Sequence, residues 1–203
     1  MSIPFQDSET AKNLLRAFAG ESQARNRYDF AANLCQKQEL QAMAFIFQAT
    51  AKQEQAHARV FWDHLQALNG QNLPIYGAYP IEGTNRILEL LRTAQHNEYE
   101  EHNSVYPSFA AIATQEGFPE AAASFRQIAA IEQLHGERFG LLADQLESGA
   151  LFVSQIETGW MCLNCGHTQN SLEAPKQCPV CNHGQGWFIR LELAPWSPVV
   201  KQT

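Results

Sequence analysis

Two copies of the pattern Glu-x-x-His are the residues of this chain best suited to chemistry. They are Glu54–His57 and Glu132–His135, and each follows a lone glutamate on the preceding helical segment, Glu21 or Glu98. A carboxylate and an imidazole three positions apart share one face of a helix and can bind one metal ion. One copy alone is usually a solvated helix face. Two copies with two partner glutamates predict a dinuclear metal site built from four helices.

The donor set of this site favours iron or manganese. Glu21, Glu54, Glu98, Glu101 and Glu132 lie among apolar residues at the helical period, so they are predicted to share one core. Burying several carboxylates without counter-charge is costly, and bound cations remove that cost. Carboxylates with one imidazole per metal suit iron or manganese better than zinc, magnesium or calcium, and the cysteines near the C-terminus favour iron.

Four of the five cysteines form a second candidate metal site. The pairs are Cys162-x-x-Cys165 and Cys178-x-x-Cys181. Two such pairs converge on a tetrahedral four-thiolate site, and a reducing compartment disfavours disulfides. A zinc ribbon has the same spacing, so the cysteines alone leave zinc and iron open. Cys35 stands apart on a helix and is interpreted as a small buried residue.

Four long helical segments position the bundle residues. Ser8 and Thr84 are predicted N-caps of the first and third segments, and Gly70 and Gly117 are predicted stops. Very short joins within each pair make antiparallel neighbours. Pro107 predicts a kink in the third segment near Asn103 that leaves the segment one element. The segments are residues 8–37, 39–69, 84–116 and 118–147.

Residues 71–83, rich in proline and glycine, connect the second and third segments. At about 3.3 Å per residue this loop can run back along a bundle and start the third helix parallel to the second. That is the ferritin-like crossover topology, although a strand or two within the loop stays open. The helical period stops after Glu147, so we expect a first domain at 1–148 and a small one at 149–203, ending in a tail from Ala194.

Composition excludes several classes of function. The chain has 203 residues, 45% of them apolar and 17% charged, as in a soluble globular protein. A net charge of -7 without any basic cluster argues against nucleic-acid binding. An N-terminus without a positive start or apolar run, and the lack of any long apolar stretch, predict a cytoplasmic protein that does not enter membranes.

The motifs resemble those of rubrerythrins from about Ala11 to about Leu191. At the C-terminal end, Trp160, Pro179 and Trp187-Phe188 are similar to the aromatic packing of a rubredoxin-like module, with His167 where that family has an aromatic residue. The bundle motifs are Glu21-Ser22-x-Ala24-Arg25-x-Arg27-Tyr28, Glu54-x-x-His57-Ala58, Glu98-x-x-Glu101 with Tyr106-Pro107, and Glu132-x-x-His135.

This resemblance implies a mainly α fold, a ferritin-like four-helix bundle with a long crossover followed by a small rubredoxin-like β/knuckle domain. It implies that Glu54 and Glu132 bridge two irons. Glu101 and His57 are expected to exchange as ligands of one iron, Glu101 in the diferric state and His57 in the diferrous state. The remaining expected ligands are Glu21 for the first iron, Glu98 with His135 for the second, and Cys162, Cys165, Cys178 and Cys181 for a single iron. Tyr28 and Tyr106 are expected beside the ligands.

The activity implied by the resemblance is reduction of hydrogen peroxide to water in oxidative-stress defence. Electrons are expected through the four-cysteine iron from an NAD(P)H-linked reductase, because the chain has no nucleotide-binding glycine loop of its own. A head-to-tail homodimer is expected, since the small domain lies beyond the end of its own bundle. Two alternatives stay open: a ferritin-like ferroxidase or iron-handling protein, and a zinc-bearing binding module.

Overall fold

The computed structural model describes residues 3–194 and is built mainly from five α-helices. The predicted tail beyond Ala194 lies outside the described residues. The helices are α1 Glu9–Lys37, α2 Gln41–His64, α3 Ile87–Glu100, α4 Tyr106–Glu116 and α5 Pro119–Glu147. Short 3-10 turns occur at Phe5–Asp7, Leu65–Leu68, Gln185–Trp187 and Leu191–Leu193, and one π-helical turn at Glu101–Val105.

The ends of the helices follow most of the predicted signals. The Ser8 hydroxyl accepts the Ala11 N–H at 3.0 Å and caps α1. Gly117, with a φ of 87°, ends α4 in the left-handed conformation. The prediction for Thr84 is wrong, because α3 starts later and Arg86 is its N-cap residue. Thr84 instead accepts the Arg86 N–H at 3.1 Å and holds the chain before the helix.

The connection between α2 and α3 is the predicted crossover. Residues 69–86 contain neither helix nor strand, which settles the open question about a hidden strand. Arg16, near the start of α1, donates to the Tyr76 carbonyl at 2.9 Å, and Gln38, after its end, donates to the Asn85 carbonyl at 3.0 Å. The loop therefore runs the length of α1, and α3 starts parallel to α2, as in ferritin-like bundles.

The third predicted segment is interrupted where Pro107 was expected to disturb it. Pro107 has no N–H to donate to the carbonyl one turn earlier, so the regular series of α-helical hydrogen bonds is interrupted there. The chain widens into the π-helical turn Glu101–Val105, in which the Tyr106 N–H reaches back to the Glu101 carbonyl. Glu101 is the first residue of this turn.

The C-terminal part is a small antiparallel sheet of β1 Val153–Cys162, β2 Thr168–Glu173 and β3 Phe188–Arg190, in the order β2-β1-β3. Trp160 and Phe188 are buried in its core, as the resemblance implied. The Trp160 indole donates to the Ser171 carbonyl at 3.1 Å. Pro179 is exposed and does not join that core.

The sheet packs against the bundle end formed by the start of α2. Met161 and Ile189 share one core cluster with Met43, Ile46 and Leu142. The division into units at 1–148 and 149–203 stays a prediction, since it concerns independent folding.

Gly186 of the small sheet region lies close to the backbone that joins α1 and α2. A Cβ there would lie 1.7 Å from the Glu39 carbonyl oxygen. We expect Gly186→Ala to lower the free energy of unfolding by about 1–3 kcal/mol, because the two backbones must separate. Gly184→Ala is the control, since a Cβ at Gly184 meets nothing within 4 Å. Denaturant unfolding measures both, and equal losses would contradict the prediction.

Glu116, at the end of α4, binds the start of α1. Its carboxylate accepts the N–H groups of Glu9 at 3.0 Å and of Thr10 at 2.8 Å. Burial alone raises the pKa of Glu116, but the Thr10 hydroxyl and these N–H groups outweigh it, so the pKa is lowered. The sequence analysis did not find this contact, because it joins residues far apart in the chain.

Replacing Glu116 by alanine should cost about 1–2 kcal/mol of stability, the usual cost of losing a helix cap. Because the folded pKa of Glu116 is the lower one, its contribution is present above the unfolded pKa. That contribution is lost as pH falls through the folded pKa. Thermal unfolding between neutral and acidic pH tests this. Glu116→Gln, which keeps an acceptor but does not titrate, should lose less than Glu116→Ala and lose the pH dependence.

Candidate metal centres

Four helices bring six of the predicted ligands together at the centre of the bundle. The ligand atoms form two groups of four, and within each group all atoms lie within 4.8 Å of one another. Every one of these residues is buried. The first group is Glu21, Glu54, His57 and Glu132, and the second is Glu54, Glu98, Glu132 and His135. Glu54 and Glu132 belong to both groups, so each can face two metal ions at once.

Each histidine turns one nitrogen towards the carboxylates. His57 Nδ1 lies 2.9 Å from Glu132 Oε1 and 3.3 Å from Glu54 Oε2. His135 Nδ1 lies 2.8 Å from Glu132 Oε2 and 3.0 Å from Glu54 Oε1. The rings stack with centroids 5.8 Å apart. The site is therefore nearly symmetric about the shared pair of glutamates.

The donor atoms fit metal ions because, apart from the close imidazole–carboxylate approaches, several of them have no hydrogen-bond partner in the protein. Buried polar atoms almost always have a hydrogen-bond partner. Among the described residues, six buried atoms of this cluster have none: Glu21 Oε2, Glu54 Oε1, Glu98 Oε2, Glu132 Oε1, Glu132 Oε2 and His135 Nδ1. Cations bound by the two groups would be common partners for these atoms.

Tyr28 and Tyr106 lie beside the ligands, outside both groups. The Tyr28 hydroxyl donates to Glu98 Oε1, and the Tyr106 hydroxyl donates to Glu21 Oε1. Burial and the neighbouring carboxylates raise the pKa of both phenols, so both remain neutral donors. Each tyrosine thus orients a carboxylate that belongs to only one group.

The four cysteines form a second group, with all four sulfurs within 4.8 Å. Two turns of matching geometry supply them. The N–H of Cys162 donates to the His167 carbonyl and that of Cys178 to the His183 carbonyl, both at 2.8 Å. Gly166 and Asn182 take the left-handed conformation at equivalent positions of the two turns, with φ of 77° and 61°. This arrangement fits one tetrahedral metal ion.

Comparisons with known proteins agree with this geometry. The rubrerythrin family model matches residues 12–143, and the model of the rubredoxin-like domain of rubrerythrin matches residues 160–189. The chain belongs to the rubrerythrin family. It is 43% identical to the rubrerythrin of Porphyromonas gingivalis, over 93% of this chain and 92% of that protein. It is 40% identical to the rubrerythrin of Nitratidesulfovibrio vulgaris, over 92% and 96%.

Solved structures support the same fold. The fully reduced, all-ferrous state of nigerythrin matches with a TM-score of 0.61 at 25% identity, over 91% of this chain and 90% of that chain. Mycobacterium tuberculosis bacterioferritin BfrA matches at 19% identity with a TM-score of 0.60 over 70% of this chain, which shows the ferritin-like fold alone. The bundle groups fit two irons and the cysteine group fits one.

At the diiron site the pKa values of several ligand residues are raised, because these residues are buried where several carboxylates lie close together. Burial and the charges of Glu54 and Glu132 raise the pKa of Glu21 well above its usual range. Burial, followed by the charge of Glu54, raises the pKa of Glu98 to about 8. Burial lowers the pKa of His135, but Glu132 and Glu54 outweigh it and raise it to about 12. Without cations the cluster therefore retains protons, which metal binding displaces.

Glu101 is the one predicted carboxylate that neither group includes. It begins the π-helical turn and is half-buried. Burial and the charges of Glu98, Glu132 and Glu54 raise its pKa, so the cluster repels its charged form. The structure thus places His57 in the first group and leaves Glu101 outside both groups.

Gln53 belongs to the site, although the sequence analysis did not single it out. His135 Nε2 lies 2.9 Å from Gln53 Oε1, an oxygen that can only accept, so Nε2 carries the hydrogen. With cations present, Nδ1 is then the free nitrogen that faces the metals. No sequence signal marks Gln53, because its partner lies on another helix.

Proposed function

We propose that this chain is a non-haem diiron peroxidase that reduces hydrogen peroxide to water. The observation that carries the proposal is Glu101, a fifth carboxylate held just outside a complete set of diiron ligands. An iron-storage site needs no such spare ligand, whereas a site that changes its coordination with oxidation state does. Reduction of one peroxide consumes two electrons and two protons and yields two waters.

Each residue of the two groups would have a defined role in binding the irons. Glu54 and Glu132, which belong to both groups, would help to hold both irons, Glu21 and His57 would complete the first group, and Glu98 and His135 would complete the second. When bound, the two irons supply the two electrons that reduce the peroxide. Glu101 would replace His57 in the diferric state, which matches the added positive charge with a negative ligand.

Other residues of the bundle would orient the ligand side chains and exclude bulk water from the site. Tyr28 and Tyr106 fix the orientation of the Glu98 and Glu21 carboxylates, and Gln53 fixes the tautomer of His135. Phenylalanines pack on both sides of the cluster, with Phe47 against Phe139 and Phe61 against Phe125, each pair at 5.1 Å between centroids. They exclude bulk water, which strengthens every electrostatic interaction within.

The cysteine iron would return electrons one at a time, supplied by an NAD(P)H-linked reductase. Within one chain the small domain packs near Met43, about 16 Å along α2 from Glu54 at 1.5 Å per residue. A head-to-tail homodimer would place it nearer the partner's diiron site, and we propose that assembly. Analytical ultracentrifugation alongside activity tests it, since full peroxidase activity in a strict monomer would contradict it.

Among residues 3–194, no helix combines the length and apolar character needed to cross a bilayer. We propose a cytoplasmic location, which subcellular fractionation would test.

The activity is tested by anaerobic loading with ferrous iron, followed by turnover with a reductase and NADH. We expect hydrogen peroxide to be consumed faster than dioxygen. Faster oxidation of ferrous iron by dioxygen would instead identify a ferroxidase, the main alternative. A colourless protein that binds zinc and reacts with neither oxidant would identify a binding module.

A further inference from the structure

A cavity of about 230 Å³ lies between α1, the crossover loop and the π-helical turn. It is much larger than one water molecule, whose share of liquid volume is about 30 Å³. Its inner wall includes Glu101 and Tyr106. Because the Tyr106 hydroxyl donates to Glu21, this wall is one hydrogen bond from the first group of iron ligands. The cavity therefore opens onto the side of the site where the spare carboxylate lies.

The outer wall of this cavity is the ring of Tyr79. A Cβ at Gly20 of α1 would lie 3.6 Å from the Tyr79 side chain, and a Cβ at Gly77 would lie 3.0–3.2 Å from it. The ring can therefore pack closely against the backbone at both glycines. The Tyr79 hydroxyl donates to the Arg16 carbonyl at 3.0 Å. The residue is 39% exposed, so one part of it faces solvent while another lines the cavity.

The loop that carries Tyr79 is fixed independently of that ring. On one side, Arg16 Nε donates to the Tyr76 carbonyl. On the other, Glu82 pairs with Arg27 and accepts from Asn97 at 3.2 Å. The Arg27–Glu82 pair is largely shielded, with 11% and 9% of the side chains exposed, so solvent screens it little and breaking it would leave a buried charge unpaired. Loss of the ring should therefore widen the cavity without releasing the loop.

We propose that this cavity is the binding site through which hydroperoxide reaches the diiron site, and that the Tyr79 ring limits the size of the hydroperoxide admitted. The inference rests on the proposed peroxidase function. The lining suits a small polar molecule, because Gln23, Asn97 and the Glu101 carboxyl group offer donors and acceptors. Hydrogen peroxide fits this lining, whereas the aromatic group of a bulky hydroperoxide would have to pass the tyrosine ring.

The test compares kcat/KM for hydrogen peroxide and for cumene hydroperoxide, which two electrons and two protons convert to the alcohol and water. In Tyr79→Ala we expect the ratio of cumene hydroperoxide to hydrogen peroxide to rise about tenfold or more, the usual scale of discrimination by pocket size. Tyr79→Phe keeps the ring and should keep the wild-type ratio. Tyr76→Ala is the matched control, because the Tyr76 side chain is 86% exposed in the same loop.

A second readout does not depend on turnover. Azide, a small anion that binds ferric iron, should associate faster with the diferric protein in Tyr79→Ala than in Tyr76→Ala, followed by absorbance in stopped flow. Should the loaded protein reduce no peroxide, the proposed function fails, and faster azide association would still support the access route. Unchanged azide association with an unchanged substrate ratio overturns the route. If the ratio of kcat/KM for cumene hydroperoxide to that for hydrogen peroxide rises as much in Tyr79→Phe as in Tyr79→Ala, the proposal that ring size sets the limit is wrong.

Discussion

Glu132→Ala should empty the diiron site while leaving the cysteine iron in place. Glu132 belongs to both ligand groups and has both carboxylate oxygens unsatisfied by protein, so its loss removes one ligand from each iron. The histidines lose their nearest carboxylate contacts, at 2.9 Å for His57 and 2.8 Å for His135. Within residues 3–194, Glu54 is the one other residue that both groups share.

The loss of iron also removes stabilisation by binding. A ligand present at 100 times its dissociation constant stabilises the folded state by about 2.7 kcal/mol, so the shift in melting temperature on adding ferrous iron should largely disappear in the variant. Elemental analysis and anaerobic thermal unfolding measure the two effects. Glu137→Ala is the matched control, since Glu137 is an exposed carboxylate on the same helix. Full diiron occupancy in Glu132→Ala would refute the shared-ligand assignment.

Glu101→Ala should separate iron binding from turnover. Because Glu101 lies outside both ligand groups, we expect the variant to bind ferrous iron at the wild-type level. Peroxide turnover should fall about 100-fold, the upper range for losing a group that supports a metal site, because the diferric state would lack its added ligand.

The neighbouring Glu100 supplies the control for that experiment. Its side chain is 62% exposed and lines the same cavity, so Glu100→Ala removes a similar charge without touching the ligands. Because Glu100 lines the proposed access cavity, we expect any effect of the variant in the KM for peroxide, whereas kcat should stay near wild type. Unchanged rates in Glu101→Ala would eliminate the ligand exchange, and loss of iron there would show that Glu101 is a permanent ligand.

Much of the fold and most of the site could be predicted, because helical periodicity is a local property. The spacing of Glu54 and His57, and of Glu132 and His135, places each pair on one helix face wherever the helix packs. Pro107 predicted where the third segment would depart from a regular α-helix, since a missing N–H affects the hydrogen bonding of the preceding turn only. The spacing of the cysteine pairs likewise predicted a four-sulfur site.

Other features arise from contacts between residues that are far apart in the chain, and no local pattern carries them. The bundle makes Glu54 and Glu132 the shared ligands and leaves Glu101 outside both groups. Gln53 meets His135, and Glu116 meets the start of α1, only because separate helices are packed side by side. The N-cap residue of α3 is Arg86 and not the predicted Thr84, because Gln38 at the end of α1 binds the Asn85 carbonyl and keeps the preceding residues in the crossover loop. The amino-acid sequence thus specified which donors exist and on which helix faces they lie, whereas packing in three dimensions assigned their partners, since those distances depend on the whole bundle.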